Sequence, residues 1–286
     1  MGVKPQPTGG DSLKDMEFAL ETAIRAATAA GRELSARYDL KFRVEQKESL
    51  RDIVVDADRA AEQRAVEVVQ ASGLPAAILS EEMGHVGDPD SELRWIIDAL
   101  DGTVNYVSHV PFFSVSVALM ERDEPIVGAV YAPIPNDLYF AGRGIGAFKN
   151  DHRISVVDQP LGSSLLAAAF SGKGSSPDSR ASEFQLFQAV NDASRGCLRT
   201  GSAALNLAYM AEGRLNGCWG RGNKVWDVAA GLAISGAAGA VVRCRFRSDR
   251  RDLVDYSVGT PSNTSELQSL IDEYFGGEST GQVDVD

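Results

Sequence analysis

WIIDALDGTVNY, Trp95 to Tyr106, is the stretch that decides how this chain is read, because a short apolar run delivers two carboxylates into a Gly-Thr turn. Trp95, Ile96 and Ile97 form a continuous apolar segment of the kind that makes a strand buried on both faces. Asp98 is the first residue that such a core does not tolerate uncompensated, so the strand is expected to end there. Asp101 precedes Gly102, which gives the backbone the freedom for a tight turn, and Thr103, whose hydroxyl and N–H can donate to an anion. Taken alone, Asp-Gly is ordinary turn punctuation. Two carboxylates held close together repel, however, and without a cation one of them is pushed toward protonation. A hard divalent metal removes the conflict.

The bulk properties set outer bounds. The 286 residues, 44% of them hydrophobic, are enough for one large domain or two moderate ones with a substantial core. A formal charge of −12 argues against a large nucleic-acid or anionic-membrane surface, since phosphate backbones are bound through clustered Lys and Arg. Small phosphate substrates stay open, because metals neutralise them locally. Cys197, Cys218 and Cys244 are odd in number, widely separated and without a Cys-x-x-Cys pair, which reads as reduced, buried thiols. No apolar run approaches the roughly 20 residues of a membrane-spanning helix, and the opening MGVKPQPTGGD has no hydrophobic signal core. A cytoplasmic location is the expectation.

Outward from the central stretch, residues 1–10 and 276–286 are Gly-rich and polar and read as loose tails. From Asp11 to about Tyr38 apolar residues recur at helical spacing. Lys47 to Gly73 passes through a strand at Asp52–Val55 into a helix of about four turns stopped by Gly73. Asp58 lies near that helix start, where an acid also complements the helix dipole. Ala76 to Ser80 reads as a strand running into Glu81 and Glu82, either a solvated pair or carboxylates pooled with the neighbouring strand end.

Phe113–Met120, Pro125–Ala132 and Asp137–Gly142 make an antiparallel meander. GRGIGAFKND beyond it lacks the third glycine and the helix of a dinucleotide site and reads as a hairpin. From Gln159 onward a buried strand at Leu165–Phe170 and helices at Ser182–Asp192, Ser202–Glu212 and Val225–Ala238 give an α/β pattern. SGKGSSP, Ser171 to Pro177, lacks the GxxxxGKS/T of a triphosphate loop and reads as a mobile loop near a pocket. Asp227 opens an Ala-rich helix, beside a Trp226 that is expected to fix its position.

EE at 81–82, WIIDALDGTVNY and WDVAAGLAISGAAG at 226–239 together resemble the signatures of the inositol monophosphatase family of magnesium-dependent, lithium-sensitive phosphatases. DIVVDAD at 52–58, KNDHRI at 149–154 and GSAALNLAYMAEG at 201–213 extend the resemblance with matching spacing. It implies an α+β / α/β fold, the layered α-β-α-β-α sandwich of the inositol monophosphatase and fructose bisphosphatase type, with an N-terminal α+β half at 11–158 and a C-terminal α/β half at 159–275.

The resemblance also implies two to three Mg²⁺ ions. The first is carried over to Glu81, Asp98 and the carbonyl of Leu100, the second to Asp98, Asp101 and Asp227, and a weakly held third to Glu81 and waters. All-oxygen donors without histidine suit magnesium. Phosphate is placed against the N–H groups of Gly102 and Thr103, with Thr103, Asp58 and Glu81 orienting and deprotonating the attacking water and Lys47 near the third metal. Ser202, Ala203, Lys224 and Asp227 are carried over as substrate contacts. Members are commonly homodimers.

Two departures stand out. Ala99 replaces the family's proline, and Gly220 replaces a glutamate seven residues before Asp227 that binds ring hydroxyls. Trp219, Arg221, Asn223 and Lys224 offer other contacts, and an Arg or Lys there can accept a second negative group. The expectation is a Mg-dependent phosphomonoesterase for a small phosphorylated metabolite, first myo-inositol 1-phosphate or a related sugar or polyol phosphate. Fructose 1,6-bisphosphate, histidinol phosphate and a nucleotide 3′-phosphate are the alternatives, and Asn105-Tyr106 favours the inositol and fructose bisphosphate branches. A phosphatase-like regulator that binds a protein partner, and an ATP-dependent phosphotransferase resting on SGKGSS, are the readings from other classes.

Overall fold

A computed structural model describes residues 9–40, 44–46, 53–170, 177–247 and 252–275. Helix α1 (Gly9–Arg37) precedes a short antiparallel pair, β1 (Val44–Gln46) and β2 (Ile53–Val55), and then α2 (Asp56–Ala71). The next elements are β3 (Ala77–Ser80), β4 (Gly84–Val86), β5 (Leu93–Asp101), α3 (Thr103–Val107) and β6 (Ser114–Glu121). The meander continues through β7 (Glu124–Ala132), β8 (Asp137–Gly142), β9 (Gly146–Lys149) and β10 (His152–Arg153). Beyond it come β11 (Leu165–Phe170), α4 (Pro177–Ala193), β12 (Gly196–Leu198), α5 (Ala203–Ala211) and β13 (Gly217–Lys224). The chain closes with α6 (Val225–Ala237), β14 (Val241–Phe246), β15 (Leu253–Gly259) and α7 (Thr264–Phe275).

Among the described residues the main strands form two sheets, one in the order β10-β9-β8-β7-β6-β5-β3-β4 and one in the order β12-β11-β13-β15-β14. Alternation of side chains across each strand gives every sheet two faces to cover. Helices α1 and α2 bury Ala23, Leu34 and Val66 against Trp95, Ile97, Val117 and Val127 on one face of the large sheet. Its other face, carrying Ile96, Ala118 and Val130, meets α5 and α6, which also cover Val242, Val254 and Val258 of the second sheet. The far face of the second sheet, with Leu166, Phe170 and Trp219, is closed by α4 and α7. The result is five layers, α-β-α-β-α, as the resemblance implies.

Several boundaries differ from those the sequence implies. Helix α1 begins at Gly9, inside the segment expected to be a tail, and α4 begins five residues before Ser182. The strand expected to stop at Asp98 runs on to Asp101, because β5 resumes pairing with β6 at Asp101 and Ser114 after an irregularity in register. Ala99 and Leu100 stay buried through that irregularity, so the apolar run is longer than the sequence pattern shows. Lys47, the SGKGSS segment at 171–176 and the segment 276–286 lie outside the described residues. Cys197, Cys218 and Cys244 are buried and unbridged, as expected.

Two features of this frame position acidic side chains. Strand β3 pairs with β5 in parallel while the other neighbours in the large sheet run antiparallel, so Ser80 lies opposite Ile97 and the next residue of each strand is an acid. Helix α6 approaches β7 closely: a Cβ at Gly128 would lie 2.4 Å from the Ala230 carbonyl oxygen. The small residues of WDVAAGLAISGAAG thus set how deep Asp227, in the first turn of α6, sits. Gly128→Ala is expected to push α6 off the sheet and destabilise the protein by about 1–3 kcal/mol, measured as a lower urea midpoint at unchanged slope.

Candidate active site

The parallel pairing of β3 and β5 brings the first two acids together. The Glu81 N–H donates to the Ile97 carbonyl at 3.3 Å, which places Glu81 beside Asp98. The turn holding Glu81 is fixed from α2, where Glu62 accepts from the N–H groups of Glu82 at 3.2 Å and Met83 at 3.1 Å. Glu62 is a positioning residue that sequence reading misses, because only the fold brings it from α2 to the end of β3. Asp98 is buried, and its Oδ1 accepts from the Leu100 N–H at 2.8 Å across the irregularity in β5.

The third acid arrives on α6. Asp227, at the third position of α6, reaches back to accept from the N–H of the N-cap residue Lys224 at 3.1 Å. Ser116 of β6 donates to the Trp226 carbonyl at 3.0 Å, so it is the Trp226 backbone that is tied to the sheet here. Carboxylate oxygens of Glu81, Asp98 and Asp227 lie within 4.8 Å of one another. Asp58, in the first turn of α2, is buried, and its charge acts on Asp98.

Asp101 is held differently. Ser202 donates to its Oδ2 at 2.5 Å, and the N–H groups of Ala204 and Ala203 follow at 2.8 and 3.3 Å. The carboxylate therefore sits on the first turn of α5, where unpaired N–H groups are available. Ser202 and Ala203, expected as substrate contacts, are partners of Asp101 in this structure. Asn105 strengthens the same junction by donating to the carbonyls of Phe112 at 2.7 Å and Thr200 at 2.9 Å.

Gly102 turns the chain between β5 and α3 at φ 100, the left-handed region that favours glycine. A Cβ there would also lie 3.2 Å from the Phe112 carbonyl oxygen. The Thr103 hydroxyl donates to the Leu100 carbonyl at 3.1 Å. Glu81, Asp98, Asp101, Gly102, Thr103 and Asp227 all line one cavity of about 450 Å³. Arg199, Asn223 and the end of β11 line it as well.

Two expected contacts turn elsewhere. Lys224 does not line this cavity, since its ammonium pairs with Asp252 at 2.5 Å and lies 5.1 Å from the Trp226 ring centroid. Arg221 pairs with the buried Asp255 at 3.3 Å and stacks 4.1 Å from the Phe275 ring centroid. Among the described residues Arg199 is the cation that lines the cavity, with its guanidinium 4.5 Å from the Phe170 ring centroid. Gly220 has no space for a side chain: a Cβ would lie 2.6 Å from the Ala169 carbonyl oxygen and 2.3 Å from both Asn223 Oδ1 and Tyr256 Cε1.

Burial holds the Asp98 carboxyl well above the usual carboxylate range, and the charges of Glu81, Asp101, Asp227 and Asp58 push it the same way. Burial raises Asp101 to about 6, against the hydrogen bonds from Ser202, Ala204 and Ala203 that favour its charged form. Such a cluster fits a hard divalent cation: the donors are all oxygens, they converge, and their mutual repulsion is relieved by positive charge.

A carboxyl whose folded pKa is raised contributes stability below its unfolded pKa and loses it as pH rises through the folded value. In the metal-free protein the acids therefore become a liability above about pH 6, where Asp101 ionises. A divalent cation such as Mg²⁺ would bind the ionised form, so its addition is expected to raise the melting temperature more at about pH 8 than at about pH 5. Gly220→Glu, by overpacking and burying a charge, is expected to destabilise the fold by about 3 kcal/mol, read by urea unfolding.

Residues 15–275 match the model of the inositol monophosphatase family. The chain is 38% identical over 233 residues to a Haemophilus influenzae protein named Nus factor SuhB, covering 81% of this chain and 86% of that one. It is 36% identical over 233 residues to a Synechocystis inositol-1-monophosphatase, covering 81% and 80%. Its structure resembles that of an inositol monophosphatase from Anabaena (Nostoc), with a TM-score of 0.79 at 31% identity over 91% of this chain and 97% of that one. With sequence and fold agreeing across nearly its whole length, the chain belongs to the inositol monophosphatase family of phosphoric monoester hydrolases.

Proposed function

We propose that the protein is a Mg²⁺-dependent phosphomonoesterase that hydrolyses a small phosphorylated metabolite, with myo-inositol 1-phosphate or a related sugar or polyol phosphate as the first candidate. The observation that carries this reading is the convergence of Glu81, Asp98 and Asp227 in the cavity that also contains the Gly102–Thr103 turn. Glu81, Asp98 and the Leu100 carbonyl would hold one magnesium ion, Asp98, Asp101 and Asp227 would hold a second, and Glu81 would serve a third. Bound magnesium supplies Lewis acidity toward the phosphoryl oxygens and the leaving oxygen.

The chain's own groups do the rest. The N–H groups of Gly102 and Thr103 hold the phosphate. Because the Thr103 hydroxyl spends its hydrogen on the Leu100 carbonyl, its oxygen is left to accept from the attacking water. Asp58, with Thr103, orients that water, and Glu81 takes up its proton; the role the resemblance gives Lys47 falls outside the described residues. Ser202 and the N–H groups of Ala203 and Ala204 keep the Asp101 carboxylate in one orientation. No side chain is assigned as a covalent nucleophile, so the reaction is a direct displacement by water.

Lithium inhibition, a homodimer and a cytoplasmic location belong to the same proposal and rest on the resemblance and the composition. Among the described residues no helix is long and apolar enough to cross a membrane. The name Nus factor SuhB borne by several relatives favours a second reading, a regulatory binding role. That name also speaks against carrying forward the expectation, drawn from net charge alone, that nucleic acid is no part of the protein's work. The converging acids favour the enzyme.

Phosphate release from myo-inositol 1-phosphate, fructose 1,6-bisphosphate, histidinol phosphate and a nucleotide 3′-phosphate, with and without Mg²⁺ and Li⁺, tests the proposal. Turnover is expected with Mg²⁺ and without any nucleotide, and no turnover of any of the four sinks the assignment. Asp98→Asn is expected to lower kcat by about a hundredfold or more while leaving the circular dichroism spectrum unchanged. A cellular role that persists in that variant would support the regulator.

A further inference from the structure

The wall of the cavity built by the second sheet departs from the family pattern in a way that the structure explains. Strand β13 shifts register against β15 between Gly220 and Asn223, with Gly222 in the left-handed region at φ 59. This irregularity folds Asn223 back over Gly220, so that the amide oxygen takes the volume a side chain at 220 would need. The glutamate that the resemblance expects at 220 cannot be housed, and a carboxamide three residues later stands in its place.

Asn223 is 7% exposed, lines the cavity, and its Oδ1 has no hydrogen-bond partner among the described residues. The hydroxyl of Tyr256, whose ring also abuts Gly220, is buried and unpartnered as well. Buried polar atoms are nearly always paired, so an orphaned amide beside a substrate cavity marks a place where a ligand completes the pairing. The charged neighbours do not compete for that role, since Lys224 and Arg221 are turned onto Asp252 and Asp255.

We propose that Asn223 is the substrate-selecting residue of this enzyme, pairing with an uncharged hydroxyl on the alcohol half of the phosphate ester. The inference rests on the phosphatase reading and refines it. A neutral carboxamide both donates and accepts, which matches a hydroxyl and gives no charge pairing to a second phosphate or carboxylate at that position. The substrate class is accordingly a phosphorylated polyol with a free hydroxyl near the ester.

The test compares kcat/KM for myo-inositol 1-phosphate with kcat/KM for p-nitrophenyl phosphate, which has no hydroxyl on its leaving group. In Asn223→Ala the preference for the polyol ester is expected to fall about tenfold, through KM. Asn223→Asp, which keeps an acceptor of the same shape, should retain that preference within about threefold. If Asn223→Ala does not fold, the nearly isosteric Asn223→Leu replaces it, with the same loss expected. Equal losses on both esters, or an unchanged preference, would overturn the role of Asn223 while leaving the phosphatase intact. So would an unaltered enzyme that hydrolyses only the aryl ester. Absence of turnover of either ester by the unaltered protein would instead remove the phosphatase reading, and this inference with it.

Discussion

The repulsion among acids gathered at the end of one buried strand is the constraint around which this molecule is arranged. Asp98 lies inside the large sheet with Glu81, Asp227, Asp58 and Asp101 all acting on its charge. An apolar core does not tolerate such a group of anions, and each is held by something specific. Glu81 is placed by parallel strand pairing, Asp227 by the Lys224 N–H at the start of α6, Asp101 by the first turn of α5, and Asp98 by the Leu100 N–H. The framework resists the electrostatics because the core is packed tightly behind it, as the approach of Ala230 to Gly128 shows. A divalent cation held among these oxygens would relieve that repulsion.

Much of the molecule was legible in its sequence, for physical reasons that can be named. Period-two alternation located β6, Pro-Asn turn signals set off β7 and β8, and the continuous apolar run of β11 matched the expected Leu165–Phe170. The acids of WIIDALDGTVNY and the Asp of WDVAAG declared themselves because charge in an apolar context is costly. The end of β5 was misplaced because Asp98 looks like a terminus, and only the resumed pairing of Asp101 with Ser114 shows that the strand continues.

Long-range pairing was the part that local patterns do not carry. That Glu81 abuts Asp98 follows from the parallel register of β3 and β5, and that Ser202 grips Asp101 follows from a contact between residues 101 apart. Lys224 looked like a substrate ligand by position and is committed to Asp252, a partner 28 residues away. Gly220 was visible as a departure, yet its meaning depended on the irregularity that folds Asn223 over it. The clustered acids are thus the more legible half of the site, because charge in an apolar context is unusual. The half that would choose the substrate is less so, since Gly, Asn and Lys occur everywhere.

Where a divalent ion sits is the most direct measure of this account. Crystals of the protein soaked in Mn²⁺, a magnesium substitute with anomalous scattering, are expected to show anomalous peaks against the carboxylate cluster of Glu81, Asp98 and Asp227, one beside Glu81 and Asp98 and one beside Asp98 and Asp227. Manganese bound elsewhere, with those three carboxylates ion-free at saturating concentration, would contradict it.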